Sequence, residues 1–348
     1  MNAVEQSKTR QEGLNPLNAE VAVGQTCRVA YIELAREEIQ RVRALISEIL
    51  SDREEIGLRD FLENASVWGQ ELPRRIRAAL YDFKLHENSE AVCVRGFPLG
   101  DLQIGLTPQT HRPAGQVESA RRPEIFHILC ASLLGEPFGW TTIQNGYILN
   151  DVMPLISDTL RVTSSGSAST FDLHTEDAFH SCAGDYLGLM CFRNPDGVQT
   201  VLSNILPGDL SGETLATLFE PRYLVGANIA QKVPPVNALS PVLFGNPGFP
   251  YLRVNLNNTS TMPEDNDAIR ALEELKQVLR KNSRLVVFEP GDCWYIDNLR
   301  VAHGRWPFSP RFDGTDRWLK RLYINSAFRR STRYRATPSA RILNPLGG

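Results

Sequence analysis

Residues 284–305 read RLVVFEPGDCWYIDNLRVAHGR, and this stretch indicates the class of the fold. Two runs rich in β-branched and aromatic residues, 284–288 and 293–296, flank a Pro-Gly-Asp turn. Such runs, separated by turn residues, are typical of neighbouring β-strands. We therefore predict a strand, a turn and a second strand, followed closely by His303.

Segments of the same kind occupy most of the second half of the chain. Clusters of Gly, Pro, Asn and Asp separate them, as expected for a fold built from short strands. The predicted strands upstream are 91–94 and Trp140 to Leu149. Those in the second half are 171–179, 185–193, 198–205, 222–228, 241–245, 251–256 and 317–326.

The first third of the chain has helical periodicity instead. Apolar residues at the spacing i, i+3, i+4, i+7 predict an amphipathic helix, and they are Val42, Leu45, Ile46 and Ile49. Further helices are predicted over 71–85 and 123–134. One helix is predicted within the β-rich half, beginning at Thr261, because Thr261 and Glu264 have the spacing of a capping box.

Helices followed by many short strands predict a mainly β fold with flanking helices, a barrel or a sandwich. Because no linker or internal repeat divides the chain, we predict one domain over 27–348. Its helical part is about 30–135 and its β core about 138–328. Residues 1–26 are polar and lack periodicity, which predicts a flexible N-terminal arm.

The composition excludes several classes of partner. The 348 residues include 37 Lys and Arg against 40 Asp and Glu, a net charge of −3, whereas nucleic-acid binding favours a basic excess. No apolar run approaches the roughly 20 residues of a membrane span. The polar N-terminus lacks a signal-peptide pattern, and the 6 cysteines lack paired spacing, which together predict a cytoplasmic protein with free thiols.

The segment 171–177, FDLHTED, contains the first candidate metal ligands. Alternate residues of a strand point to the same face, so His174 and Glu176 in the predicted strand 171–179 would face one metal ion. A His-x-Glu pair alone is weak evidence, because such pairs are common by chance. His303, after the second strand of the stretch quoted above, provides a third candidate ligand.

Two imidazoles and one carboxylate form the facial triad that leaves open positions on Fe(II) for oxygen chemistry. A carboxylate-bearing cosubstrate also needs a cation, and the run RWLKR at 317–321 follows His303. Arg317 and Arg321 share strand parity, so both guanidinium groups would point into one barrel. Each is able to bind a carboxylate in a bidentate manner.

Together these motifs resemble the clavaminate synthase-like group of Fe(II)/2-oxoglutarate-dependent oxygenases. Within that group the similarity is to hydroxylases of free L-amino acids, such as the arginine hydroxylases of the viomycin type. The resemblance covers about residues 90–335. The motifs that carry it are QNG at 144–146, which we interpret as part of a strand, HTE at 174–176, DNLRVAHGR at 297–305 and DGTDRWLKR at 313–321.

The resemblance implies a double-stranded β-helix, or jelly roll, with helices packed outside it. It implies that His174, Glu176 and His303 hold Fe(II). It also implies that 2-oxoglutarate places its distal carboxylate on Arg317, with Thr200 as a second contact. The reaction would use O2, with ascorbate as the reductant in vitro, and would release succinate and CO2.

The same resemblance assigns residues to the substrate. Arg321 would bind the α-carboxylate of a free amino acid, and Gln144 together with Glu176 would bind its α-amine. The reaction implied is hydroxylation of an unactivated C3 or C4 carbon, within antibiotic biosynthesis.

One departure bears on the identity of the substrate. Relatives that hydroxylate arginine use a pair of aspartates for the guanidinium, and counting along the chain places Asn255 and Asn257 there. An amide, with a donor and an acceptor, suits a neutral carbamoyl group. We therefore predict citrulline first, then glutamine or asparagine. Arginine or lysine stays an alternative if Asp172, Asp177 or an acid within 264–267 reaches the pocket.

Three further alternatives stay open at this point. The same site could desaturate its substrate, or it could act on an amino acid tethered to a carrier protein. The chain could also be a metal-binding barrel that has lost catalysis. Turnover of a free amino acid, of a thioester or of neither would separate these alternatives.

Overall fold

The protein is described by a computed structural model over residues 28–51, 58–100, 104–111 and 118–347. The predicted arm 1–26 lies outside these residues. Within them, no helix is long and apolar enough to cross a membrane. The α-helices of the described ranges are α1 (Arg36–Ser51), α2 (Leu58–Trp68), α3 (Arg74–His86), α4 (Glu118–Leu134), α5 (Gly212–Leu218) and α6 (Asn266–Lys281).

Short strands make up most of the remaining regular structure. In chain order they are β1 (Val29–Glu33), β2 (Ala91–Arg95), β3 (Glu136–Trp140), β4 (Asn150–Val152), β5 (Phe171–His174), β6 (Tyr186–Arg193), β7 (Gln199–Ser203), β8 (Tyr223–Val225), β9 (Leu243–Asn246), β10 (Phe249–Leu252), β11 (Thr259–Thr261), β12 (Arg284–Val287), β13 (Cys293–Asp297), β14 (Ala302–Arg305), β15 (Trp318–Asn325) and β16 (Ile342–Leu343).

Two sheets form the body of the protein. The larger has eight strands, in the order β1-β2-β13-β6-β15-β3-β16, with β4 also paired to β15. The smaller has four strands, in the order β12-β7-β14-β5. The pairs β9/β10 and β8/β11 form two further two-stranded sheets. A mainly β fold with flanking helices, as predicted, is therefore confirmed.

The larger sheet is buried on both faces, and the side chains of β13 show how. Cys293 and Tyr295 belong to a core shared with α1, α2, α3 and α4. Trp294 and Ile296 alternate with them and belong to a second core, which includes Leu202 of the smaller sheet. Because alternate residues face opposite sides of a strand, the helices cover one face and the smaller sheet covers the other.

The outer side of the smaller sheet is covered by α5 and α6. Leu173 of β5 and Ala302 of β14 share a third core with Leu218 of α5 and Leu272 of α6. The two strands that carry the candidate histidines are thus held between two apolar layers.

Two expectations about helices in the β-rich half are wrong. Helix α6 begins at Asn266, because Asp265 caps it by accepting a hydrogen bond from the Ala268 N–H at 3.1 Å. Thr261 instead ends β11. A second helix, α5, also interrupts the β-rich half; the side chain of Ser211 caps it. Asp and Ser are both strong N-cap residues.

The predicted strand from Trp140 to Leu149 is also wrong, since β3 ends at Trp140 and β4 begins only at Asn150. Between them, Gln144 and Asn145 have φ angles of 43° and 57° within a short 3-10 turn. A left-handed backbone does not fit a strand. The motif QNG is therefore a turn between two strands.

A buried ion cluster links α4 to the larger sheet. Lys320 Nζ lies 2.9 Å from Glu124 Oε1 and 2.8 Å from Asp151 Oδ1. Burial lowers the pKa of Lys320, but the two carboxylates outweigh it and raise that pKa above its usual value. Asp151 also accepts a hydrogen bond from the Trp318 indole N–H at 2.7 Å.

Replacing Lys320 with Met removes the cation that these two buried carboxylates share. We expect the free energy of unfolding to fall by about 3 to 5 kcal/mol, measured by urea denaturation. Arg311→Met is the matched control, because it breaks the exposed pair with Asp196 and should leave stability nearly unchanged. Equal effects of the two substitutions would contradict this account of the cluster.

Candidate active site

Two strands of the smaller sheet bring the candidate histidines together. His303 of β14 stands opposite His174, the last residue of β5, in the antiparallel register. The Nδ1 atom of His174 lies 2.8 Å from the carbonyl oxygen of Asp172, to which it donates as the protonated nitrogen. That hydrogen bond leaves the Nε2 atom as the lone-pair nitrogen, directed toward His303 and Glu176.

Glu176 also lies beside the two histidines, but it is not in the strand that contains His174, contrary to what strand parity had assumed. The strand ends at His174 rather than at residue 179, so Glu176 lies in a turn. Its Oε2 atom nevertheless lies 3.8 Å from His174 Nε2 and 3.4 Å from His303 Nε2. We call these three residues the triad.

The donor set of the triad fits a divalent iron ion. One ligand atom from each residue lies within 4.8 Å of the others. His174 Nε2 is buried and has no hydrogen-bond partner among the described residues. A buried polar atom without a partner is costly, and a metal ion in this position would satisfy it. The triad therefore offers two imidazoles and a carboxylate around one common point.

Protonation of the triad also suits a metal ion. Burial raises the pKa of Glu176, but Arg321 and the two histidines outweigh this and hold it well below its usual value. Burial, reinforced by the neighbouring His174, lowers the pKa of His303 to about 4. At pH 7 the carboxylate is therefore ionised and the His303 imidazole is neutral, as metal ligation requires.

Arg317 is buried immediately before β15 and lines a cavity with Glu176 and His303. Its Nη2 atom donates to the Thr200 hydroxyl at 3.3 Å, and its Nε atom has no partner among the described residues. In the described ranges no carboxylate forms an ion pair with it. Burial lowers its pKa to about 10, so it stays cationic at pH 7. A buried cation without a counter-ion is suited to binding an anionic ligand.

Arg321 is also buried but has an acidic partner. Its Nη1 atom lies 3.2 Å from Glu176 Oε1, and its Nη2 atom donates to Asn150 Oδ1 at 3.4 Å. Glu176 thus directs one oxygen to the histidines and the other to Arg321. Both arginines line a cavity with Thr200 and His303.

A second part of the cavity shares Glu176 and Arg321 with the first but is not lined by Arg317. Glu176, Arg321, Asn255, Gln231 and Asp177 are among its lining residues. Three carboxamides, those of Asn228, Gln231 and Asn255, and the carboxylate of Asp177 therefore line the space beyond the triad.

Gln144 and Asn257, which were predicted to bind the substrate, do not line either part of this cavity. Both ends of the Gln144 carboxamide bond the backbone of Asp151, at 2.7 and 3.0 Å, and Gln144 lines an adjoining cavity that also includes Arg321. Asn257 is exposed and does not line the cavity; its backbone N–H donates to Asn255 Oδ1 at 3.1 Å. Of the two asparagines, Asn255 alone faces the cavity.

Among the acids considered from sequence, Asp177 reaches the cavity and the others do not. Asp172 lies 3.4 Å from Arg280, in a groove outside the site. Asp265 caps α6. Asp177 accepts hydrogen bonds from the Trp140 indole at 2.6 Å and from the Gln231 amide. Burial and the nearby charge of Glu176 raise its pKa to about 7.

Sequence reasoning missed the contribution of Arg305, two residues after His303. It is buried in the cavity beside Arg317, and its guanidinium donates to the carbonyl oxygens of Gly166 and Trp306 at 2.7 and 2.8 Å. It thereby holds the serine-rich loop 164–169 against the site, where Ser164 lines the cavity. The HGR motif was the available signal, but its arginine carried no predicted role.

Comparison with known proteins identifies the family. Residues 213–323 match the family described as taurine catabolism dioxygenase TauD, TfdA family. The chain is 35% identical over 338 residues to the enduracididine β-hydroxylase of Streptomyces hygroscopicus, covering 90% of this chain and 99% of that protein. This chain belongs to the TauD/TfdA family. It is a non-haem iron- and 2-oxoglutarate-dependent amino acid oxygenase.

Two further members of the family agree with this placement. The L-ornithine/L-arginine 3-hydroxylase of Catenulispora acidiphila is 32% identical, covering 78% of this chain and 87% of that one. A crystal structure of the oxygenase OrfP with Fe and α-ketoglutaric acid has a TM-score of 0.84 and 36% identity, covering 90% of this chain and 100% of OrfP. Other OrfP crystals contain L-Arg or L-homoarginine.

Proposed function

We propose that this oxygenase hydroxylates a free polar L-amino acid at C3 or C4, with a citrulline-like neutral side chain favoured. The observation that carries the proposal is the pair of buried arginines that line the cavity of the triad and differ in their partners. Arg317 has no acidic partner in the described ranges, whereas Arg321 shares Glu176 with the triad. Two separate cations suit two separate carboxylates, one from 2-oxoglutarate and one from the substrate.

In this proposal His174, Glu176 and His303 hold Fe(II), and Arg317 with Thr200 binds the distal carboxylate of 2-oxoglutarate. Bound iron, with 2-oxoglutarate and O2, supplies the oxidant for an unactivated C–H bond, and succinate and CO2 are released. The protein contributes binding and orientation of that bond. We assign this activity to one domain over 27–348 with a double-stranded β-helix core.

The substrate backbone is assigned to the other side of the triad. Arg321 binds the α-carboxylate, while Glu176 Oε1 and the Gln144 side chain bind the α-amine. The Gln144 oxygen already accepts one hydrogen bond from the Asp151 N–H, and its second lone pair is available for the amine. An amino acid tethered as a thioester lacks the carboxylate that Arg321 would pair with, which disfavours a carrier-bound substrate.

The side chain of Asn255 favours a substrate whose side chain ends in a neutral group. Its Oδ1 atom accepts from the Asn257 N–H, which fixes the orientation of the carboxamide. No described residue accepts a hydrogen bond from its Nδ2 atom, and Asn255 lines the cavity. The group offered to a ligand is therefore a donor, which suits a carbamoyl oxygen and not a guanidinium.

Asp177 is the feature that supports the alternative substrates, arginine and lysine. Its carboxyl lines the same cavity, but it already accepts hydrogen bonds from Trp140 and Gln231. A cationic end would have to compete with both donors. We therefore place citrulline first and the cationic amino acids second.

The experiment that tests the proposal uses the purified protein with Fe(II), ascorbate, 2-oxoglutarate and O2. Citrulline, glutamine, asparagine, arginine, lysine and ornithine are offered singly, and succinate and the hydroxylated product are measured by mass spectrometry. We expect coupled succinate and product with a neutral amino acid, citrulline above the others. A clear preference for arginine would contradict the role given to Asn255.

Replacing Asn255 with Asp tests the substrate preference directly. The carboxylate would turn a donor into an acceptor, so the ratio of kcat/KM for arginine to that for citrulline should rise about 10-fold or more. Asn257→Asp is the matched control, since Asn257 is exposed and its side chain should leave the ratio unchanged. An unchanged ratio in Asn255→Asp would show that residues other than Asn255 select the side chain of the substrate.

A further inference from the structure

Asn298 forms hydrogen bonds with the Glu176 backbone but has no role in the proposed function so far. It is buried in the turn between β13 and β14, five residues before His303. Its Oδ1 atom accepts the backbone N–H of Glu176 at 2.6 Å, and its Nδ2 atom donates to the Glu176 carbonyl at 3.0 Å. The same Nδ2 atom donates to the Gly184 carbonyl at 2.8 Å.

These hydrogen bonds matter because Glu176 lies outside the strand that carries His174. Sheet hydrogen bonds end with β5, so the backbone of Glu176 depends on partners from elsewhere in the chain. One carboxamide, 122 residues further along, satisfies both its N–H and its C=O. The backbone of Asn298 is fixed in turn, since its N–H donates to the Asp185 carbonyl at 2.9 Å.

The orientation of Glu176 determines which group each of its two carboxylate oxygens faces. Oε2 faces the histidines, and Oε1 lies 3.2 Å from Arg321 Nη1. We propose that Asn298 is a positioning residue that fixes the Glu176 backbone, so that one carboxylate oxygen faces the metal and the other faces the substrate side. The inference rests on the proposed function, since it takes Glu176 as a ligand of Fe(II).

Asn194 offers a matched control elsewhere in the protein. It is buried, its Oδ1 atom accepts from the Val198 N–H at 2.9 Å, and its Nδ2 atom donates to the Val198 and Phe288 carbonyls at 3.2 and 3.1 Å. Its carboxamide therefore makes the same three kinds of bond, away from the triad. Asn194→Ala removes as many hydrogen bonds as Asn298→Ala does.

The test compares Asn298→Ala, Asn298→Asp and Asn194→Ala with the wild type. Three quantities are measured: the anaerobic affinity for Fe(II) in the absence of substrate, the thermal midpoint, and the ratio of succinate to hydroxylated product. Loss of a residue that orients a metal ligand typically weakens metal binding 10- to 100-fold. In both Asn298 variants we expect the affinity for Fe(II) to fall by about this factor, and succinate to exceed the hydroxylated product. Asn194→Ala should lower only the thermal midpoint.

Asn298→Asp keeps the acceptor for the Glu176 N–H and nearly the same volume, so it carries the test if Asn298→Ala does not fold. Wild-type Fe(II) affinity in a folded Asn298 variant would overturn the inference, as would an equal loss of affinity in Asn194→Ala. A wild type that fails to bind Fe(II) would instead overturn the proposed function, so the two failures are distinguishable.

Discussion

Replacing His303 with Ala is expected to abolish Fe(II) binding and to reduce coupled turnover by about 1,000-fold or more, a loss of about 4 kcal/mol. The substitution removes one of three ligand atoms that lie within 4.8 Å of one another. The remaining pair, His174 and Glu176, cannot form a facial triad. The measurements are an anaerobic Fe(II) titration and succinate formation with the preferred amino acid.

His180 provides the control for this substitution. It is buried near the site, where it packs against Trp140 and Tyr334, and its Nδ1 atom accepts from the Cys182 N–H at 3.0 Å. Burial lowers its pKa to about 4, which makes it a neutral structural histidine at pH 7. His180→Gln keeps an acceptor and should retain Fe(II) binding. Retained binding in His303→Ala would remove His303 from the metal site.

The two arginines are expected to separate the cosubstrate from the substrate. Arg317→Met should raise the KM for 2-oxoglutarate about 100-fold, because a buried carboxylate would lose a bidentate, charge-assisted partner. The KM for the amino acid should change little. Arg321→Met should raise the KM for the amino acid and change that for 2-oxoglutarate little, since Arg321 pairs with Glu176 and lines the cavity that we assign to the substrate. Each variant is the control for the other.

Steady-state kinetics with each reactant varied in turn make this measurement. Arg317→Lys adds a useful comparison, because a lysine retains the charge but not the planar pair of donors. Partial recovery of 2-oxoglutarate binding in Arg317→Lys would be consistent with the account. If Arg317→Met raised the KM for the amino acid and left that for 2-oxoglutarate unchanged, the roles assigned to the two arginines would have to be exchanged.

The β core could be predicted because its strands are apolar over short, well-separated runs. In β13 both faces are buried, so Cys293, Trp294, Tyr295 and Ile296 form a continuous apolar run that a solvent-exposed strand would not have. Helix α2 was missed, although Phe61, Leu62 and Ala65 are all buried and have a helical spacing. The signal for α2 was therefore present in the sequence.

The three residues predicted as ligands lie together in the structure, although part of the argument that predicted this was wrong. Parity along one strand was expected to align His174 with Glu176, but β5 ends at His174 and a turn carries Glu176 back to the histidines. The turn is held by Asn298, whose partners are more than a hundred positions away in the chain. Local patterns contain no information about such a contact.

The cavity that we assign to the substrate was the least predictable part of the site. Counting along the chain placed Asn255 and Asn257 together, but of the two only Asn255 lines the cavity, whereas Asn257 is exposed. Gln231 and Asp177 line the same cavity from separate loops. Loop residues enter a pocket through tertiary packing, which periodicity does not describe.

The central claim is that this protein couples 2-oxoglutarate decarboxylation to hydroxylation of a free amino acid. The most direct measurement is a single reaction under ¹⁸O₂ with Fe(II), 2-oxoglutarate and citrulline, followed by mass spectrometry of both products. We expect one labelled oxygen in succinate and one in the hydroxylated amino acid, in equal amounts. Failure to label both succinate and product from any amino acid of the panel, by protein shown to bind Fe(II), would contradict the claim.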